Sequence, residues 1–149
     1  MSKRKELTEV HPAIDKILEK HKPNVRWHKN VPGIVGGEAH EPDYTIIAYG
    51  WAIGLEAKWD MWNEKKNGEL VLSKAKDRLP TPGQTKKLRE IEEAGGMGLV
   101  VDRRSLEKFK ELLDHIKLFN LSAPAVIEHA QDLGVHYEKY GQSLPEIKI

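Results

Sequence analysis

Residues 41–60, EPDYTIIAYGWAIGLEAKWD, decide the fold. The stretch reads as two short strands with a tight turn between them, rich in the β-branched and aromatic residues that suit a pleated surface. Asp43 stands where the first strand begins. Glu56 lies inside the second, two residues before Lys58. Side chains alternate across a strand, so Trp51, Ile53, Leu55, Ala57 and Trp59 share one face. Ala52, Gly54, Glu56 and Lys58 share the other. The first is an ordinary core face. The second sets two charges beside two very small residues, and small neighbours leave room for something to approach those charges. Pairing of the two strands would bring the Asp43 carboxylate near Glu56.

Two neighbouring carboxylates repel each other unless a cation lies between them. A hard dication such as Mg²⁺ takes oxygen ligands, commonly one or two carboxylates together with water and substrate phosphate. It polarises a phosphoryl oxygen and lowers the pKa of bound water. A lysine beside it orients that water or offsets charge in the transition state. Asp, Glu and Lys so arranged form a set suited to phosphodiester hydrolysis. The competing reading is a solvated Glu56–Lys58 pair on an exposed strand, with Asp43 a turn residue after Pro42.

Working outward, Val10, Ile14, Ile17 and Leu18 follow helical spacing, and Pro12 suits a first turn. The first helix is expected from about residue 12 to residue 20, with room for an earlier turn. KPNVRWH (22–28) reads as a short strand, and the Gly/Pro-rich NVPGIVGGEAHEP (30–42) as a loop. Residues 61–80 are polar, with a hairpin signal at Asn67-Gly68 of the type I′ kind. TPGQTKKLREIEEAGG (81–96) is a well-marked helix, capped by Thr81, with Pro82 at its first position and Gly95 at its end. MGLVVD (97–102) is a fully apolar, buried strand. RSLEKFKELLDHIK (104–117) is amphipathic, with Leu106, Phe109, Leu113 and Ile116 on one stripe. SAPAVIEHAQDLG (122–134) is a further helix between a Ser122 cap and a Gly134 stop. QSLPEIKI (142–149) receives no assignment. This order predicts an α/β domain around a small mixed sheet flanked by helices.

The 149 residues are one domain by length, with 39% hydrophobic and 32% charged residues placing the chain among globular proteins. No apolar run spans a membrane, and MSKRKELTEV has no signal-peptide core. The chain has no cysteine, which excludes disulfides, zinc thiolates and thiol nucleophiles. The net charge of +1 conceals blocks: residues 1–40 balance at +3, 41–73 at −3, 74–110 at +4 and 111–149 at −3. An acidic centre bracketed by basic segments fits a metal pocket beside a phosphate-binding surface, and equally a set of solvated faces.

PDYTIIAYGWAIGLEAK resembles the P-D…(D/E)-x-K motif of the restriction-endonuclease-like superfamily. Downstream, PTPGQTKKLREIEEAGGMGLVV resembles the glutamine block of its VRR-NUC branch, the virus-type replication-repair nuclease domain. Upstream, a helix with an early acid followed by VRWHKN is similar to that branch's opening. The likeness covers roughly residues 6–117. It implies a restriction-endonuclease-like fold over residues 1–119, with residues 120–149 a helical extension packed on the same domain. It also implies a Mg²⁺- or Mn²⁺-dependent DNA endonuclease. Stand-alone members are typically phage or bacterial proteins that resemble Holliday-junction resolvases and act on branched DNA as homodimers. A cytoplasmic setting in a bacterium or an infected host follows, with no membrane partner. Carried over by motif, Asp43 and Glu56 are metal ligands, Lys58 is the catalytic lysine and Gln84 belongs to the active site. The first-helix acid maps onto Glu9, with Glu6 as the rival. The insert between Lys58 and Gln84 is longer than in minimal members, and residues 118–149 have no counterpart.

Gln84 has a second explanation, because Thr81-Pro82-Gly83-Gln84 is a capping box. Lys86, Lys87 and Arg89 on the polar side of that helix, with Lys74, Lys76 and Arg78 before it, are candidates to follow a DNA backbone. Trp59 and Trp62 are candidates to stack on bases, to join a dimer contact or to fill the core. The seven histidines show neither H-x-x-x-H nor H-E-x-x-H spacing, which argues against zinc. Two alternatives remain beside a structure-selective nuclease: a sequence-specific restriction endonuclease, and a non-catalytic DNA- or partner-binding module on a nuclease-like fold. No Gly-rich phosphate loop followed by Lys-Ser/Thr supports NTP hydrolysis.

Overall fold

A computed structural model describes residues 2–30, 40–119 and 123–141. The opening stretch forms the expected hairpin, β2 (Tyr44–Ala48) and β3 (Trp51–Ala57), paired antiparallel with Tyr44 opposite Leu55. Tyr49 and Gly50 close it with φ of 52° and 85°. Two left-handed residues give a turn whose twist matches that of the strands. β1 (Val25–Lys29) adds antiparallel to β2, and β6 (Met97–Val101) adds parallel to β3. The sheet therefore runs β1-β2-β3-β6. The chain is a mixed α/β domain with a four-stranded mixed sheet flanked by helices.

One sheet face carries Tyr44, Ile46, Ile53, Leu55, Met97 and Leu99, all buried. Against it pack α2 (His11–Glu19) through Ile14 and Leu18, and α4 (Leu106–Phe119) through Phe109, Leu112, Leu113 and Ile116. α5 (Ala123–Asp132) adds Val126 and Ala130 to the same core. The other face is covered by α3 (Pro82–Glu93), whose Leu88 is fully buried.

The glycines decide how close α3 comes. A Cβ on Gly54 would lie 2.4 Å from Ile91 Cδ1, and one on Gly98 would lie 2.9 Å from both Leu88 Cβ and Tyr137 Cδ1. Gly54 and Gly98 are register partners on β3 and β6. The space beside Glu56 at Gly54 is thus filled by α3. It is not left open for a ligand, as the sequence reading expected.

Three further elements differ from expectation. The first helix starts earlier: α1 (Ser2–Lys5) runs through a π-helical segment (Glu6–Val10) into α2. Pro12 sits inside this helical run because the widened turn before it places the missing N–H where an α-helical bond is already interrupted. The small hairpin of β4 (Trp62–Glu64) and β5 (Leu70–Leu72) exists, but its loop is not a two-residue type I′ turn. Lys65 N–H donates to Glu69 O (2.8 Å), Gly68 N–H donates to Lys65 O (2.9 Å), and Gly68 has φ 86°. This is a three-residue loop in which the glycine takes the left-handed position of a bulge. Beyond α5, the chain adds a bridge to the free edge of β6, with Leu99 opposite His136 and Val100 N–H donating to Val135 O (2.9 Å). A short 3₁₀ turn, Tyr137–Tyr140, then covers Val100 and Met61.

α3 carries the cap predicted for it. Thr81 and Gln84 form a reciprocal capping box, and Gly95 ends the helix region with φ 101°. The Ser122 cap and residues 142–149 lie outside the described residues, as does most of the 30–42 loop. Among the described residues no helix is long and apolar enough to cross a membrane.

Candidate active site

β2 and β3 bring the two acids together. Asp43 immediately precedes β2, and its Oδ2 accepts the Ala57 N–H (2.8 Å), which ties it to the strand end beside Glu56. Glu56 is 3% exposed, under α3. Gln84 Nε2 donates to Glu56 Oε1 (3.0 Å), and Lys58 Nζ donates to Gln84 Oε1 (3.3 Å). Lys58 Nζ stands 4.0 Å from Glu56 Oε1. The Gln84 oxygen also accepts the Thr81 N–H (2.8 Å), and Thr81 Oγ1 accepts the Gln84 N–H (3.1 Å). Gln84 closes the capping box and, with the same amide, contacts the Glu56 carboxylate and the Lys58 ammonium. The first turn of α3 lies under His40, since a Cβ on Gly83 would fall 2.6 Å from that ring.

The two acids form a buried pair short of positive charge. Burial pushes the Glu56 carboxyl well above its ordinary range, and the Asp43 charge adds to this against the opposing pull of Lys58. Burial also raises Asp43, with the Ala57 N–H opposing and the Glu6 charge reinforcing. Glu56 Oε2 is buried with no N–H or hydroxyl donor to it, and the Asp43 and Glu56 carboxyls stand close enough to share a proton. Two buried carboxyls side by side offer the oxygen donors that a divalent cation takes in place of a shared proton.

The first helix supplies more than the sequence reading expected. Glu9 is exposed. The helix acid that reaches the site is its rival Glu6, which acts on both Asp43 and Glu56. Beside it stands His11, whose Nε2 is 3.5 Å from Glu6 Oε1. Ligand atoms of Glu6, His11 and Asp43 all lie within 4.8 Å of one another. Sequence reasoning set His11 aside with the scattered histidines. On a regular α-helix residues five apart do not face each other. Here the His11 N–H bonds to Glu6 O, one π turn back, and the two side chains meet. No family model and no curated protein matches the chain.

The basic candidates divide. Lys74, Lys76 and Lys86 are exposed. Lys87 faces Glu41 (3.7 Å) and Glu90 (3.9 Å). Arg89 is exposed, and it reaches the Tyr137 hydroxyl. Arg78 is a brace: Nε donates to Asp60 O (2.8 Å), Nη1 to Asn63 Oδ1 (2.5 Å) and Nη2 to Trp62 O (2.5 Å). Its guanidinium is spent on folding the segment after Lys58, which removes it from a solvent-facing role. Asp60 is held from other sides by Arg103 (2.8 Å) and Arg104 (3.1 Å). Trp59 packs on the core with Lys5 and Arg103 over its ring, and Trp62 meets Tyr140 edge-on. Both tryptophans have packing roles.

Proposed function

We propose that this protein is a metal-dependent deoxyribonuclease that hydrolyses phosphodiester bonds, selective for branched DNA and acting as a homodimer. One observation carries the reading: the buried carboxyls of Asp43 and Glu56 stand side by side, with Lys58 held next to Glu56 by Gln84. The resemblance of the PD…ExK and glutamine blocks to the VRR-NUC branch supports it and supplies the preference for branched DNA. A dication bound by Asp43 and Glu56 supplies Lewis acidity toward a phosphoryl oxygen and toward water.

The residues around it have separate tasks. Gln84 orients the Glu56 carboxylate and shares its own oxygen with the Lys58 ammonium. Lys58 is half-buried, so its charge acts in a medium poorer in water than the surface, where it offsets negative charge developing on phosphate. Lys74, Lys76 and Lys86 offer charge to the DNA backbone outside the pocket. A four-way junction presents two strands about a two-fold axis, and a symmetric dimer presents two sites in the same relation.

The test compares single-stranded, duplex, flap and four-way junction DNA, each with Mg²⁺, Mn²⁺ or EDTA. Cleavage with metal, strongest on the branched forms and absent in EDTA, is expected. Cutting that persists in EDTA, or no cutting of any form with either metal, refutes the proposal. Light scattering on the protein, free and bound to a junction, tests the dimer.

A further inference from the structure

We infer that His11, with Glu6, is a further ligand beside Asp43 in this site, so that the cation bound there is a first-row transition-metal dication held through an imidazole nitrogen as well as carboxylate oxygens. The inference rests on the metal-dependent reading above and goes further, because Asp43 and Glu56 by themselves describe an all-oxygen site suited to Mg²⁺.

His11 is 9% exposed, and its Nε2 is buried without a hydrogen-bond partner. Glu6 Oε1 stands 3.5 Å from that nitrogen, an ion pair when the ring is protonated but longer than a good hydrogen bond. A histidine serving the core would satisfy that nitrogen, since buried polar atoms are almost always paired. His11 on α2 thus stands in one acidic cluster with Glu6 and Asp43, and Asp43 joins that cluster to Glu56 on β3.

The spacing suits a shared ion. Donor atoms bound at about 2.1 Å to one centre lie about 3–4 Å apart. The three donor atoms here are within 4.8 Å, so closing on an ion takes shifts of well under a side-chain rotamer. The backbone supports the same arrangement. The π segment Glu6–Val10 aligns Glu6 with His11, and single π turns recur at functional sites. Tyr44 fixes the helix to the sheet there: its hydroxyl donates to His11 O (3.1 Å), and its ring lies 5.3 Å from the imidazole. The donor is thus held in place before any ion arrives.

Ligand chemistry then selects the metal. Imidazole favours first-row transition ions, while Mg²⁺ keeps oxygen and water. Mn²⁺ is the weakest binder of the transition series, so preference for it over Mg²⁺ is the most stringent case, and its unpaired electrons report their own ligands.

The experiment titrates Mn²⁺ into the full chain, follows binding by electron paramagnetic resonance, and reads nitrogen coupling by spin-echo modulation. Wild type is expected to show nitrogen coupling and to bind Mn²⁺ against excess Mg²⁺. His11→Ala is expected to lose the coupling, with Mn²⁺ affinity falling by about 10–100-fold, as for loss of an ordered metal contact. Asp43→Asn is expected to lose the coupled signal as well, which ties the nitrogen to this site rather than to another histidine. Should His11→Ala fail to fold, the wild-type and Asp43→Asn spectra decide alone. Mn²⁺ bound without nitrogen coupling, or a coupled signal that survives Asp43→Asn, overturns the inference and leaves the nuclease proposal standing. Coupling in a protein that cuts no DNA leaves the metal site standing and removes the nuclease proposal.

Discussion

Gln84 holds Glu56 with one end of its amide and caps its own helix with the other: Nε2 donates to Glu56 Oε1 at 3.0 Å, and Oε1 accepts the Thr81 N–H at 2.8 Å. Helix stability and site geometry therefore share one side chain, and two substitutions separate them. Thr81→Ala removes half of the capping box but leaves the Gln84 amide on Glu56 and Lys58. It is expected to cost about 1 kcal/mol in urea denaturation and to keep single-turnover cleavage near the parent rate. Gln84→Ala is expected to cost a similar amount and to slow cleavage by about 10–100-fold, because an orienting contact is lost. Equal loss of cleavage in both variants would mean that Gln84 acts only as a cap.

Gly54 and Gly98 set the approach of α3, but against different neighbours. At Gly54 the clash is with the far end of Ile91, which can turn away. At Gly98 the clash is with Leu88 Cβ and O and with Tyr137, which cannot. Gly98→Ala is expected to destabilise by about 2–3 kcal/mol and Gly54→Ala by less, about 1 kcal/mol. Ile91→Val removes the clashing methyl, so Gly54→Ala made in that background should recover most of its loss. Denaturation of the single and double variants measures the coupling. Additive losses would show that α3 does not seat on Gly54 as described.

Those glycines also show where sequence reading stops. A missing side chain is visible in the sequence, but the atom that fills its place is not. Gly54 therefore read as an opening, when a helix from thirty residues downstream occupies it. The hairpin and α3 were legible because their signals are local: alternating apolar residues in one, Thr-Pro-Gly-Gln in the other. Glu6 read only as the rival of Glu9, and His11 as one more scattered histidine, since their meeting depends on a π turn that α-helical periodicity does not describe. Arg78 read as one more surface cation, because its acceptors are two backbone carbonyls and Asn63, none of which announces itself as a partner. The Leu99–His136 bridge joins residues whose pairing no local pattern encodes.

The metal-free protein should lose stability as pH rises. Burial raises Glu56, and also Asp43, above the carboxylate range of an unfolded chain. Between the ordinary carboxylate pKa and the raised folded values, the folded state holds more protons than the unfolded one, so unfolding becomes easier as pH climbs. Melting temperature in EDTA is expected to fall as pH rises above the ordinary carboxylate range and to level off once both carboxyls are ionised in the folded state. Glu56→Gln carries no charge to desolvate, so it should melt higher than the parent at neutral pH and with a flatter profile. Saturating Mn²⁺ should flatten the parent profile as well. A parent profile in EDTA that rises over this window would contradict the buried, cation-poor pair.

Chemistry and DNA binding should separate by residue. Glu56→Gln keeps size and the Gln84 contact region but removes the carboxylate charge next to the substrate. Cleavage should fall by at least about a hundredfold, as when one preorganised electrostatic contact is removed from a reacting centre. DNA affinity should hold or improve, since one negative charge near phosphate is gone. Lys74→Ala with Lys86→Ala should do the reverse. Both lysines are exposed and neither takes part in the capping box, so folding should be unaffected. Affinity should drop, the slope of log affinity against log salt should shrink by about one unit per lost phosphate contact, and cleavage at saturating protein should survive. Anisotropy in Ca²⁺ reads the binding, and single-turnover assays in Mg²⁺ or Mn²⁺ read the chemistry. A folded Glu56→Gln protein that cuts at the parent rate would remove Glu56 from the reaction. Asp43 and Glu56 would then be a structural pair, two buried carboxyls that share a proton.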